Sequence, residues 1–305
     1  CLRYPYAHGG RHVLHAAVSS DHGQTWTGHR EVARDPKRYE PPPPRGDHGT
    51  AYPFPVVLPD DRVLITTGQG EGRVLLVALD PEWLYERTKA ASFALPPPGE
   101  ASPIPAAEAS APIDGSALPQ DWSAFGCAGI DVVSSPDDCH VAVLQLRQTH
   151  RAWPCCVVWN HPLGRRGSLR LRLRLAANSA GCQVLLTDHF SVPFDPEDAM
   201  QSSFALRLAP PAQALFPAGS AHDVQTEVRG EKTLIVATEA WHEIDLQWDC
   251  DEGVASASLG DQRVQLPQRH VGDGICYLRL RPIGGRGDGG VMLADVAVVI
   301  EADTP

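Results

Sequence analysis

The sequence predicts an all-β chain, and two observations predict it. Short β-rich runs recur at roughly ten-residue intervals over most of the length. Glycine (27) and proline (28) make up about 18% of the 305 residues, against roughly 12% in ordinary globular chains, so turns are frequent. Frequent turns of this kind favour many short strands over long helices. With 43% hydrophobic and 21% charged residues the chain buries a real core, which excludes a disordered tail, a collagen and a small disulfide scaffold. The length gives a prior of two domains.

The first 80 residues alternate strands and turns. RHVLHAAVS, AYPFPVVLP, DRVLITTG and GRVLLVALD are the strand candidates, separated by SDHGQT, a Pro-rich stretch and QGEG. Glu40 to Gly49 (EPPPPRGDHG) reads as a stiff surface loop, because four consecutive prolines cannot donate to a sheet. DPEWLYERTKAAS is the helix candidate: Asp80 suits the N-cap, Pro81 the first helical position and Glu82 the first turn. Residues 94–118 are Pro/Ala/Ser-rich and read as a semi-rigid linker, which divides the chain into 1–93, the linker and 119–305.

Beyond the linker the pattern is again β, with IDVV, HVAVLQLR, CCVVWN, CQVLLTD, FALRL, KTLIVATE, HEIDLQW, VASASLG, ICYLRLR and VMLADVAVVIEA spaced as in a sandwich. SLRLRLRL alternates strictly, with Leu169, Leu171, Leu173 and Leu175 on one face and Arg170, Arg172 and Arg174 on the other. The arginine row is read as a solvated sheet face in preference to an anion platform.

A net charge of −11 sets the chain against nucleic acid as a partner. None of the eight cysteines falls in a CxxC pair, so a structural zinc site is not expected, and eight in this length make no disulfide framework, with one or two bridges left open. No apolar run reaches the length of a membrane span. The chain opens on CLRYPY, in what reads as mid-strand, so it is expected to be part of a longer protein. His8, His12 and His15 have helical spacing on a predicted strand, where His12 and His15 face opposite sides, so they are not read as metal ligands.

One motif is specific. Ser19-Ser20-Asp21-His22-Gly23-Gln24-Thr25-Trp26 fits S-x-D-x-G-x-T-W. It describes a hairpin turn whose Asp accepts backbone N–H groups, whose Gly takes positive φ and whose Trp packs under the turn. This resembles the Asp box of sialidase-superfamily (BNR-repeat) β-propellers, with Ser19, Asp21, Gly23, Thr25 and Trp26 at its fixed positions. The box specifies architecture, not chemistry. Arg11 stands where that superfamily places an arginine on the strand leading into a box. Thr50 to Asp60 (TAYPFPVVLPD) resembles the strand that carries its nucleophilic tyrosine, and Glu71 lies at the interval of its following glutamate.

The resemblance implies a retaining exo-glycosidase for a terminal acidic sugar, most simply sialic acid. Tyr52 would be the nucleophile, an exception to the two-carboxylate scheme. Arg11 would clamp the sugar carboxylate, and Glu71 would orient a further arginine of the clamp. Asp47 and His48, in the loop entering the Tyr52 strand, would line the pocket. The remaining arginines, the base and the acid of that family lie upstream of the match. Residues 1–93 then make about two blades of an incomplete propeller, not expected to act alone. The resemblance favours a secreted or periplasmic protein with a carbohydrate partner and no cofactor.

Residues 119–305 resemble concanavalin A-like and laminin G-like sandwiches, through Trp241 to Asp249 (WHEIDLQWD), the turn at Asp251-Glu252-Gly253, and VASASLGDQRVQLP. Leu186 to Asp198 brings Asp188, His189, Asp195 and Asp198 into one polar loop. Its oxygen ligands suit a structural calcium, with a simple capped loop as the plainer reading. Two other readings stay open: a non-catalytic glycan-binding propeller, and a hydrolase of the same fold acting on another sugar.

Overall fold

The computed structural model describes residues 11–37, 48–95, 118, 121–124, 126–151, 153–211 and 230–302. Asp47, His8, Cys1, the four prolines and nearly all of the 94–118 linker lie outside the described residues. The described chain is all-β, as the sequence predicts, and none of its sheets closes into a barrel.

The first two sheets are small. Strands β1 (Val13–Val18) and β2 (Thr27–Arg34) form an antiparallel hairpin, closed by the eight Asp-box residues. Strands β3 (Phe54–Val57), β4 (Val63–Thr67) and β5 (Leu75–Leu79) form an antiparallel meander. The sheets meet over Ile65, Leu79 and Leu84, with Leu14, Val18 and Val32 packed around them. The other face of the meander leaves Phe54, Val56 and Leu76 exposed. Strand β2 escaped the sequence pattern because TGHREVAR is polar. Its Arg30 is nonetheless buried, stacked 3.7 Å from the Trp83 ring centroid and donating to the Trp83 carbonyl at 2.7 Å.

The helix expected over 80–92 is corrected to a single 3₁₀ turn, Pro81–Tyr85. Its start is as read: the Asp80 carboxylate accepts the Glu82 N–H at 3.0 Å and Pro81 opens the turn. Thr88–Ser92 is instead strand β6, paired antiparallel with Asp295–Val299 of the last strand. A free strand edge offering a ladder outweighs the local preference of TKAAS. The boundary drawn after residue 93 therefore cuts through a sheet.

The sandwich is built from β7 (Trp122–Ser123), β8 (Ile130–Ser134), β9 (Ala142–Leu146), β10 (Val157–Gly164), β11 (Arg166–Leu175), β12 (Cys182–Thr187), β13 (Phe204–Ala209), β14 (Lys232–Ile235), β15 (Trp241–Asp249), β16 (Val254–Leu259), β17 (Gln262–Pro267), β18 (Ile275–Pro282) and β19 (Val291–Ile300). One sheet runs β17-β16-β15-β11-β19-β9-β8, with β6 beside β19, and the other runs β14-β13-β12-β18-β10-β7. All pairs are antiparallel except β13–β14.

The alternation of β11 holds. Its four leucines are at most 1% exposed and face Val184, Leu206 and Leu280 across the core. Each contributes about 2 kcal/mol of burial. The arginines lie outside: Arg170 meets Asp245 at 3.0 Å, Arg174 meets Asp137 at 3.1 Å and Arg172 lies over Trp241. That is a solvated, ion-paired face. One end of the core is aromatic, with Trp122 on Trp159, and His161 between Trp159 and Trp248. The seven described cysteines are free, six of them buried.

Candidate functional site

The Asp box forms the turn that its sequence specifies. Asp21 Oδ1 accepts the N–H groups of Gln24 at 3.0 Å and Thr25 at 2.9 Å, and Oδ2 accepts the Thr25 hydroxyl at 2.7 Å. Ser19 donates to Asp21 and accepts from the Gly23 N–H. His22 (φ 60°) and Gly23 (φ 87°) both take positive φ, as primed hairpin turns require. The hydrogen bonds from Thr25 hold the Asp21 carboxyl down at about 2. One expectation is corrected: the Trp26 ring lies against Gly23 of the turn but is not buried there, remaining 58% exposed.

Arg11 and Tyr52 come together. The Arg11 and Gly49–Thr50 segments run side by side: the Arg11 carbonyl accepts the Thr50 N–H at 2.7 Å and the Thr50 hydroxyl at 2.9 Å. Only glycine permits this approach at position 49, where a Cβ would lie 2.3 Å from the Arg11 oxygen. The result places the Arg11 guanidinium 5.5 Å from the Tyr52 ring centroid. His48 is half-buried beside the Gly49–Gln69 bridge.

Two expectations about this cluster are corrected. Tyr52 is not on a strand: it precedes β3, is 55% exposed and takes φ 49°, an unusual backbone for an aromatic residue. The segment pairs with the next one at Gly49–Gln69 and again from Phe54 onward, and Tyr52 lies in the interruption between them. Glu71 is likewise off any strand, exposed on the Gly70–Gly72 turn. The residue that meets Arg11 is Gln69, whose Oε1 accepts from Nη1 at 3.2 Å. Gln69 went unread in the sequence, and its only signal was a place between two glycines that both take positive φ. Also unread was Arg73–Asp35, a buried ion pair joining the meander to the end of β2.

A second polar cluster docks the hairpin on the sandwich. Tyr277 of β18 donates to Glu31 Oε1 at 2.5 Å, and Glu31 Oε2 accepts from Arg34 Nε. His15 Nε2 lies 2.6 Å from the same phenol oxygen. The phenol has one proton and gives it to Glu31, so His15 donates through Nε2–H. The His15 ring stacks on His29 with centroids 4.7 Å apart, and His29 Nδ1 is 3.5 Å from Cys276 Sγ. This Tyr–Glu pair resembles an activated phenol only in outline. Tyr277 is fully buried, and desolvation with the Glu31 charge drives its pKa well up, away from nucleophilic use.

Burial lowers His29 to about 4, and burial with the charge of His29 lowers His15 well below its ordinary range. The unfolded chain therefore binds protons that the folded one refuses, and stability falls as pH drops from about 6.5 toward 4. His29 alone accounts for ~3 kcal/mol over that window. His161, lowered to about 3 in the sandwich core, adds to the slope. Urea melts at pH 7 and pH 4.5 are expected to show the loss, and His29→Gln to reduce it. An unchanged slope in that variant would remove His29 from the account.

The loop after β12 does not gather calcium ligands. Asp188 pairs with His189 at 2.6 Å, and Asp195 caps helix α1 (Pro196–Met200) through the Glu197 N–H at 2.8 Å. Asp198 accepts the Val192 N–H. The carboxylates thus serve internal contacts: a helix cap at Asp195, an ion pair at Asp188 and a loop hydrogen bond at Asp198. Among the described residues the one set of three ligands within mutual reach is Asp138, Cys139 and His140, on an exposed turn. No described helix is long and apolar enough to cross a membrane.

These features define an all-β protein in which an Asp-box hairpin docks on a two-sheet sandwich and a small meander packs on the hairpin. No protein-family model matches the chain, and no curated protein matches it in sequence. Solved structures resemble it at low identity. The exoplasmic/lumenal domain of VIP36 in its Ca²⁺/Man3GlcNAc-bound form is 10% identical over 61% of this chain and 86% of its own, with a TM-score of 0.40. A protein described as a sialidase is 8% identical over 79% of this chain and 20% of its own, with a TM-score of 0.38. A carbohydrate esterase from the Shiga toxin-encoding bacteriophage phi24B is 12% identical over 62% of this chain and 95% of its own, with a TM-score of 0.36.

Proposed function

We propose that this chain is the C-terminal portion of a sialidase-like exo-glycoside hydrolase acting on a terminal acidic sugar, with Tyr52 as nucleophile of a retaining mechanism. The observation that carries the reading is the Arg11–Tyr52 pair: a guanidinium beside an exposed phenol whose backbone is held at positive φ. Strained, exposed residues of this kind concentrate at functional sites. Arg11 offers a fork of donors matched to a carboxylate, and Gln69 fixes its direction. A neutral phenol approaches an anionic sugar without repulsion, which suits Tyr52 to this substrate. Asp47 and His48 would line the sugar side, and Glu71 would orient a further arginine.

A second reading, a glycan-binding module without turnover, is favoured by one feature. The group meeting Arg11 is the amide of Gln69, and an amide cannot take a proton from Tyr52. Hydrolysis of a fluorogenic sialoside by the full-length protein, wild type against Tyr52→Phe, decides between the two.

A further inference from the structure

A cleft of about 1230 Å³ separates the Asp-box end of the hairpin from the edge of the sandwich. Neither Arg11, Tyr52 nor Gln69 lines it. We propose that this cleft is a second binding site, built for a neutral oligosaccharide. Clefts at module junctions with apolar walls and a few fixed polar groups are where ligands bind.

Its walls carry two large aromatic side chains that the fold leaves in solvent, Trp26 at 58% and Tyr85 at 44% exposure. Trp26 is the side chain that an Asp box would be expected to use for packing, and here it opens on the cleft. Flat amphipathic rings of this kind match the C–H faces of sugars, while their polar edges stay wet.

The polar groups are fixed in advance. Asp251 is gripped by Arg165 at 2.6 Å and Arg166 at 3.0 Å, and Arg166 also holds Asp249 at 3.0 Å. Donors and acceptors held this way lose little freedom when hydroxyl groups reach them.

Charge selects the class. The lining cations Arg87, Arg165 and Arg166 are offset by Glu86, Asp251, Asp273 and Glu301. The stacked His15 and His29 on the floor are uncharged at neutral pH. A strongly anionic ligand would meet four carboxylates and a cationic one three guanidiniums. A neutral polyhydroxy chain meets neither cost, and finds both aromatic faces and hydrogen-bonding groups.

The test titrates the full chain with cello-, malto-, manno- and chitohexaose, read by calorimetry and tryptophan fluorescence. At least one is expected to bind. Trp26→Ala and, separately, Tyr85→Ala should each weaken it by about tenfold or more. Tyr85→Ala guards against loss of the hairpin turn in the first variant, and thermal melts check both. Tyr52→Phe should leave binding unchanged, which separates this site from the one proposed for hydrolysis. No binding by any of the four up to about 10 mM would overturn the proposal. So would binding that survives both aromatic substitutions, or binding lost in Tyr52→Phe.

Discussion

Tyr52→Phe should lower turnover of an aryl sialoside by roughly 10³-fold or more, the scale on which a lost covalent nucleophile is felt. The substitution removes one oxygen and little else. The ring that sits 5.5 Å from the Arg11 guanidinium remains, so the cation–π contact persists and KM should change little. The side chain is already 55% exposed, so the melting temperature should stay within a degree or two of wild type. A large fall in kcat with unchanged KM and stability would support the hydrolase reading and the nucleophile assignment together. Turnover insensitive to the mutation would keep the enzyme and move the nucleophile elsewhere. Absence of turnover in the wild type would favour the glycan-binding reading, to which the Gln69 amide already inclines.

Strand positions were legible in the sequence wherever burial is one-sided. The Leu/Arg alternation of 169–175 predicted both the faces of β11 and the bland role of its arginines. Strand β2 was illegible because none of its buried positions, Gly28, Arg30 and Ala33, is a large apolar residue, and its charged groups find partners far along the chain. Arg30 is paired with Glu86, and Glu31 with Tyr277, 246 residues away. The caps at Asp80 and Pro81 were read correctly, but no local signal records that β19 has an edge for Thr88–Ser92.

In the candidate site, the conjunction of Arg11 and Tyr52 was legible through a resemblance and depends physically on one glycine. Gly49 lets the Arg11 carbonyl pass at a distance that a side chain would forbid. The residue that meets Arg11, Gln69, carries no sequence signal of its own: it stands between Gly68 and Gly70, and only their positive φ turns it toward the guanidinium.

Arg279→Ala should cost ~3–5 kcal/mol, the most damaging change expected at a single polar side chain here. Arg279 sits in mid-β18, between Val158 of β10 and Leu185 of β12, and is 1% exposed. Leu278 and Leu280 enter the sandwich core, and Arg279 takes the opposite face, under the loop that follows β12. Its Nη1 donates to Ser191 Oγ at 2.7 Å and the Val192 carbonyl at 2.8 Å, and its Nη2 to the Pro193 and Asp195 carbonyls at 3.0 Å each. One guanidinium thus satisfies three main-chain oxygens of an irregular segment that has no sheet to pair with. Truncation leaves those oxygens buried and unmade, a larger loss than the bonds themselves were worth.

Arg279→Met tests which effect dominates, because it restores volume and apolar contact without donors. Recovery of less than half the loss would assign the cost to the carbonyls. Urea midpoints read the global effect, and hydrogen exchange over 188–200 reads the local one. The damage should extend to the hairpin. Phe190 in this loop packs edge-on against Tyr277 at 5.7 Å, and Tyr277 holds His15 and Glu31. Faster exchange in β1 and β2 is therefore expected in Arg279→Ala. A variant within about 0.5 kcal/mol of wild type would show that the Asp195 cap of α1 and the Asp198–Val192 hydrogen bond hold the loop alone.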